Sequence, residues 1–102
     1  MTDYGPSLEE TLRGLGARAR QLRLLRALLQ EELAERAGIG VATVRRFEKT
    51  GMASIENVLR IATALNAEHS FNQLFEAPAY ASLDEAIARP EIAKRRRAPR
   101  RR

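Results

Sequence analysis

Leu28-Leu29-Gln30-Glu31-Glu32-Leu33-Ala34-Glu35-Arg36-Ala37-Gly38-Ile39-Gly40-Val41-Ala42-Thr43-Val44-Arg45-Arg46-Phe47-Glu48-Lys49 is the stretch on which the reading of the fold turns. It holds two helical patterns separated by three residues. The first runs from Gln30 to Ala37. Glu31, Glu32 and Glu35 lie near its start, where the helix dipole favours anions, and Leu33, Ala34 and Ala37 form one apolar face. Gly38 stands where a helix commonly closes on a left-handed residue. Ile39 is placed to plug a core, and Gly40 to cap the next helix. That next helix is expected over 41–49. Val44 and Phe47, three apart, point inward, and Ala42, Arg45, Arg46 and Lys49 fall on the other face.

A link as short as Gly38-Ile39-Gly40 forces a large angle between the two helices, and small residues at Ala34 and Ala37 let them approach closely. This is helix-turn-helix geometry. The second helix of such a pair is exposed on one face and fits the DNA major groove, about 12 Å wide. Here that face carries three cations and no acid, while the acids of the preceding helix are expected on its opposite, outward side. Such segregation suits a polyanion.

Outward from this centre the chain reads as all helical. Ser7-Leu8-Glu9-Glu10 is a capping box, followed by Leu8, Leu12, Leu15, Ala19, Leu22 and Leu25 on one helical face. Gly14 and Gly16 interrupt it, so either a frayed helix or a short helix and turn is expected before a firmer helix near residue 16. A fourth helix is expected over 54–65, with Ser54 at its capped start and a stripe of Ile55, Val58, Leu59, Ala62 and Leu65. A short fifth helix, 70–75, offers Phe71, Leu74 and Phe75. Ala77-Pro78-Ala79 reads as a linker. Ser82-Leu83-Asp84-Glu85 opens a short helix to about Arg89, which Pro90 stops. The end, with Lys94, Arg95, Arg96, Arg97, Arg100, Arg101 and Arg102, is expected to be disordered when free, because it repels itself and has nothing to bury.

The charge follows this division. The chain has 102 residues and a net charge of +5, but residues 1–88 hold 10 basic and 12 acidic side chains, whereas 89–102 hold 8 basic and one acidic. The basicity is therefore mostly a tail. There is no cysteine and a single histidine, His69, which excludes a disulfide scaffold and Cys/His zinc sites and leaves little for acid–base or thiol catalysis. No metal site, cofactor or enzymatic activity is expected. Gly14-Leu15-Gly16-Ala17-Arg18-Ala19 fits a loose dinucleotide-binding pattern, but a capping box and helix precede it where a strand is required. Glu31, Glu32 and Glu35 read as an acidic first turn rather than metal ligands. Aromatic content of 5% with no tryptophan makes a poor stacking platform for single strands. No apolar run approaches the ~20 residues of a membrane span, Met1 to Pro6 does not resemble a secretory signal, and the missing cysteines fit a reducing cytoplasm or nucleoid; the resemblance described next implies a bacterial one.

Residues 28–49 closely resemble the Xre family, the Cro/cI-type, lambda-repressor-like regulators, and Leu15-Gly16-Ala17-Arg18-Ala19-Arg20-Gln21-Leu22-Arg23 resembles that family's first helix. The resemblance covers about residues 15–75. It implies an all-α, five-helix bundle over 15–76, here with an N-terminal extension at 1–14 and, over 77–102, a linker, a short extra helix and the basic tail. It implies binding to double-stranded DNA as a homodimer on a palindromic operator. Val41, Ala42 and Arg46 match base-reading positions, and Arg45 beside them is a second arginine that can pair with guanine O6 and N7. Gln30, Gly40, Thr43 and Lys49 match positions at the phosphates, and Gln30 could instead brace the recognition helix. Arg23 and Glu48 match an ion pair that ties the first helix to the recognition helix.

The chain departs from the pattern. Leu29 stands where Ser or Asn usually caps the second helix, Ala27 replaces a common glycine, and Val41 and Ala42 cannot make bidentate hydrogen bonds to bases. Sequence choice would then rest on arginine–guanine pairing, thymine methyl contacts and DNA shape. Phe71-Asn72-Gln73-Leu74-Phe75-Glu76-Ala77-Pro78, Ser82-Leu83 and the Arg-rich end resemble regulators of the HipB type, which implies a HipA-like kinase toxin as partner. Phe71, Leu74, Phe75, Leu83 and Ile87 are then the candidate dimer or partner surface. The competing readings are a stand-alone regulator and a basic RNA- or ribosome-associated protein acting through its tail.

Overall fold

The computed structural model describes residues 5, 7–79 and 87. It divides into two units, 1–72 and 73–102. Five helices are present among the described residues: α1 (Leu8–Leu25), α2 (Gln30–Ala37), α3 (Val41–Thr50), α4 (Ile55–Ala64) and α5 (Glu68–Phe71). No strand is found among them. The fold is the all-helical, lambda-repressor-like bundle expected from the sequence. The candidate residue Leu83, the capping box at Ser82, and Lys94 through Arg102 lie outside the described residues.

The Ser7 box closes as read: Glu10 N–H donates to Ser7 Oγ (3.1 Å), and Ser7 N–H donates to Glu10 Oε1 (3.0 Å). Of the two expected forms the single helix is found: α1 runs through Gly14 and Gly16 with no turn between them. Gly16 is buried, and a Cβ there would sit 2.2 Å from the Phe47 carbonyl oxygen. Gly51, at φ 78°, would place a Cβ 1.8 Å from the Leu12 carbonyl oxygen. The two glycines let α1 lie directly on the backbone at the C-terminal end of α3. Gly16 is thus a crossing point, not a helix breaker.

The core is built from Leu28, Leu33, Ala34, Val44, Phe47, Ile61 and Leu65, with Ala19, Leu22, Ile39, Val41, Ala53, Val58 and Ala64 packed around it. Two expected stripes are corrected here. On α1, Leu8, Leu15 and Leu25 are exposed, and the side turned inward is Leu12, Gly16, Ala19, Leu22 and Arg23. On α4, Ile55 and Leu59 are exposed, and the buried face is Val58, Ile61 and Leu65. The run 55–65 carries apolar residues on two overlapping faces, and only packing onto α2 and the rest of the core chooses between them.

The helix expected over 70–75 is also corrected. Helix α5 spans Glu68–Phe71 and holds His69, exposed, and Phe71, half-buried. Residues 72–75 form turns instead, with Phe75 at φ 67°. In the second unit, Leu74, Phe75 and Ile87 are exposed, Phe75 almost completely (96%).

Candidate nucleic-acid interface

The turn between α2 and α3 is set by backbone chemistry. Gly38 takes the left-handed conformation (φ 73°, ψ 33°), and Ile39 N–H donates to the Ala34 carbonyl at 3.0 Å. This satisfies an orphan carbonyl at the end of α2 and drives Ile39 against the core. Gly40, extended at φ −76° and ψ 151°, is the N-cap of α3, and its carbonyl accepts from Thr43 and Val44. The residue before α2 behaves as its apolar character dictates. Leu29 offers no side-chain cap, and Glu32 compensates by accepting the Leu29 N–H at 2.8 Å.

Helix α3 is held from behind by a buried polar cluster. Arg23 of α1 meets Glu48 of α3 side on, Nε to Oε2 at 2.7 Å and Nη2 to Oε1 at 3.0 Å. Both side chains are more than nine-tenths buried. The third direction of the guanidinium is satisfied by the Leu28 carbonyl, to which Nη1 donates at 2.8 Å. Gln30, first residue of α2, donates from Nε2 to Glu48 Oε1 at 2.9 Å. One carboxylate thus gathers α1, α2 and α3, and no buried side-chain polar atom among the described residues lacks a partner. The bracing contact open to Gln30 is present.

The outer side of α3 divides into two flanks. Ala42, Thr43 and Arg46 face the start of α4 and, with Met52, Ala53, Ser54 and Asn57, line a groove of about 270 Å³. The Thr50 hydroxyl shapes the α3–α4 turn that forms this groove. It donates to the Arg46 carbonyl (2.8 Å) and accepts the Met52 N–H (3.1 Å). Ser54 Oγ caps α4 by accepting from Asn57 N–H at 3.1 Å. Ser54 and Asn57 were legible in the sequence only as a helix start. Their place beside Arg46 follows from the short α3–α4 turn, which pattern reading does not resolve.

On the other flank Arg45 reaches back to α2, its Nη2 3.6 Å from Glu31 Oε2. This corrects the expected segregation of charge, since an acid of α2 shares the recognition-helix surface. Arg46 and Lys49 are exposed and have no ion-pair partner among the described residues. Val41 is half-buried and packed on the core, whereas Ala42 is exposed. Of the candidate partner surface, Phe71 lies in α5, and Leu74, Phe75 and Ile87 belong to the second unit.

A helix pair joined by a three-residue turn that opens on a left-handed glycine, its second helix braced from behind and carrying exposed Arg46 and Lys49 in front, defines a helix-turn-helix DNA-binding domain. Residues 20–71, about half of the chain, match the helix-turn-helix family, and the chain belongs to that family, in its Xre, lambda-repressor-like branch. It is a DNA-binding helix-turn-helix regulator. No curated protein matches the chain closely enough to count as a relative.

Proposed function

We propose that the protein is an autorepressor that binds a palindromic operator in double-stranded DNA as a homodimer. The observation that carries this reading is the exposed flank of α3 bearing Ala42 and Arg46, which forms one concave surface with Ser54 and Asn57 of α4. Arg46 is the side chain with the donors to pair with guanine O6 and N7. Ala42 supplies a methyl contact for thymine, and Val41 contributes only an edge. Thr43, Gly40, Ser54 and Asn57 border these positions and offer hydroxyl, amide and backbone donors for phosphate, and Lys49 adds charge one turn further on. Gln30 acts through Glu48 as a brace. In a two-fold dimer the recognition helices would enter successive major grooves about 34 Å apart.

A second reading is favoured by Phe75 and Leu74, which stand exposed in the second unit. Two neighbouring apolar side chains exposed together are a surface that a protein partner would cover. The resemblance of residues 71–78 to HipB-type regulators makes a HipA-like kinase toxin the partner to try, with DNA binding as autoregulation.

The deciding experiment is fluorescence anisotropy on the duplex upstream of the protein's own gene, against a scrambled duplex of equal length over a salt series. A preference of about 10³ or more for the upstream duplex supports the autorepressor. Equal binding to both, collapsing as salt rises, rejects it in favour of the basic tail. Sedimentation at micromolar concentration tests the homodimer, and a monomer with and without operator refutes it.

A further inference from the structure

Arg45 and Arg46 are adjacent in sequence and sit on different flanks of α3. Arg46 shares a groove with Ser54 and Asn57 of α4. Arg45 turns toward the first turn of α2 and lies 3.6 Å from Glu31. We propose that Glu31 withholds Arg45 from duplex DNA, and so sets the overall affinity of the protein without altering its choice of sequence. The inference rests on the DNA-binding reading above.

The argument is electrostatic. A guanidinium with a carboxylate 3.6 Å away presents a dipole to a polyanion, where Arg46 and Lys49 present full charges. Several ångströms away the fields of two opposite charges 3.6 Å apart oppose each other, and a screening length of about 8 Å at physiological salt weakens what remains. Arg45 must leave Glu31 to reach DNA, and Glu31 then faces the same phosphates unpaired. Both side chains are more than half exposed, so the pair is weak and its effect is a tuning of up to about fivefold, not an on–off switch. Phosphate contacts carry no sequence information. Releasing Arg45 therefore raises affinity for all duplexes alike, while discrimination stays with Arg46 and Ala42.

The test is a double-mutant cycle of Glu31→Gln, Arg45→Ala and the pair together. Each is titrated against the upstream and scrambled duplexes from about 50 to 200 mM salt. Glu31→Gln keeps the size of the side chain and leaves the buried core untouched. It should tighten binding to both duplexes about two- to fivefold and steepen the log–log salt slope by about 0.9, one further phosphate neutralised. Arg45→Ala alone should stay within about twofold of the parent protein. The double variant should return close to the parent protein and lie at most about twofold above Arg45→Ala, because without the arginine the loss of Glu31 relieves only its own repulsion of the phosphates and the full gain needs the freed arginine. The inference is overturned if Glu31→Gln leaves both duplexes unchanged, if it tightens only the upstream duplex, or if Arg45→Ala alone weakens the parent protein by the full amount. Arg46→Ala run alongside separates the two levels of argument. If it weakens the upstream duplex while Glu31→Gln does nothing, only the role of Glu31 falls. If no variant binds duplex at all, the DNA-binding reading falls and this inference with it.

Discussion

Replacing Glu48 with alanine should come close to unfolding the protein. The carboxylate accepts from Arg23 Nε and Nη2 and from Gln30 Nε2. Its removal strands a guanidinium that is more than nine-tenths buried, with the Leu28 carbonyl as its one remaining hydrogen-bond partner. Breaking a buried pair from one side typically costs about 3–5 kcal/mol, because the surviving charge is left uncompensated. Native domains hold about 0.05–0.15 kcal/mol per residue, which over the roughly 70 residues of the first unit is about 4–10 kcal/mol. Glu48→Ala thus removes from a third of the stability to all of it. The chain has no tryptophan, so far-UV circular dichroism in urea is the suitable readout. With a slope of about 1 kcal/mol per molar, the midpoint should fall by about 3 M, or the folded baseline should vanish. The double change Arg23→Met, Glu48→Leu should recover most of the loss, since well-packed apolar residues replace a buried pair at little cost. A midpoint shift below about half a molar for Glu48→Ala would refute the idea that this cluster holds the helices together.

Four further outcomes follow from local geometry. Gly16→Ala should destabilise by about 1–3 kcal/mol despite alanine's better helix propensity, because its methyl meets the Phe47 carbonyl; thermal melts check this. Ala27→Gly should stabilise by about 1 kcal/mol, because Ala27 sits at φ 58° where a Cβ is strained; the urea midpoint reads it. Leu29→Ser should add about 1 kcal/mol by supplying the side-chain cap that α2 lacks, with little apolar burial lost from an exposed leucine. Arg46→Ala should cost about 1–3 kcal/mol in binding to the upstream duplex and relax selectivity at one base pair, measured by competition with single-base operator variants.

The sequence carried the centre of this fold because its local signals agree with one another. Gly38, Gly40, the inner face of Val44 and Phe47 and the capping residues Ser7 and Ser54 each act within a few residues of chain. Their conformations follow from backbone and helix-end chemistry alone. What escaped depends on a second element. Gly16 reads as a helix breaker until α3 is laid across it. The expected stripe over 55–65 omits Ile61, which only packing against α2 and the core shows to be the buried residue. Ala27 shows the converse: its departure from a common glycine was visible in the chain, and the structure supplies the reason, a positive φ that the alanine must adopt.

The candidate interface divides along the same line. That α3 is cationic on its outer face is a property of one helix and was legible as such. That its two adjacent arginines serve different neighbours is not, because Arg45 answers to Glu31, 14 positions upstream, and Arg46 to the turn that brings Ser54 and Asn57 alongside. The buried cluster behind α3 matters for the same reason. Discrimination between base pairs depends on placing a guanidinium within a few tenths of an ångström of two acceptors, and a helix of ten residues held only by Val44 and Phe47 could rock about its axis. Glu48, pinned by side chains from α1 and α2, removes that freedom. On the proposed reading, in which Arg46 meets the bases, Arg23, Gln30 and Glu48 contribute to recognition by holding the helix that carries it.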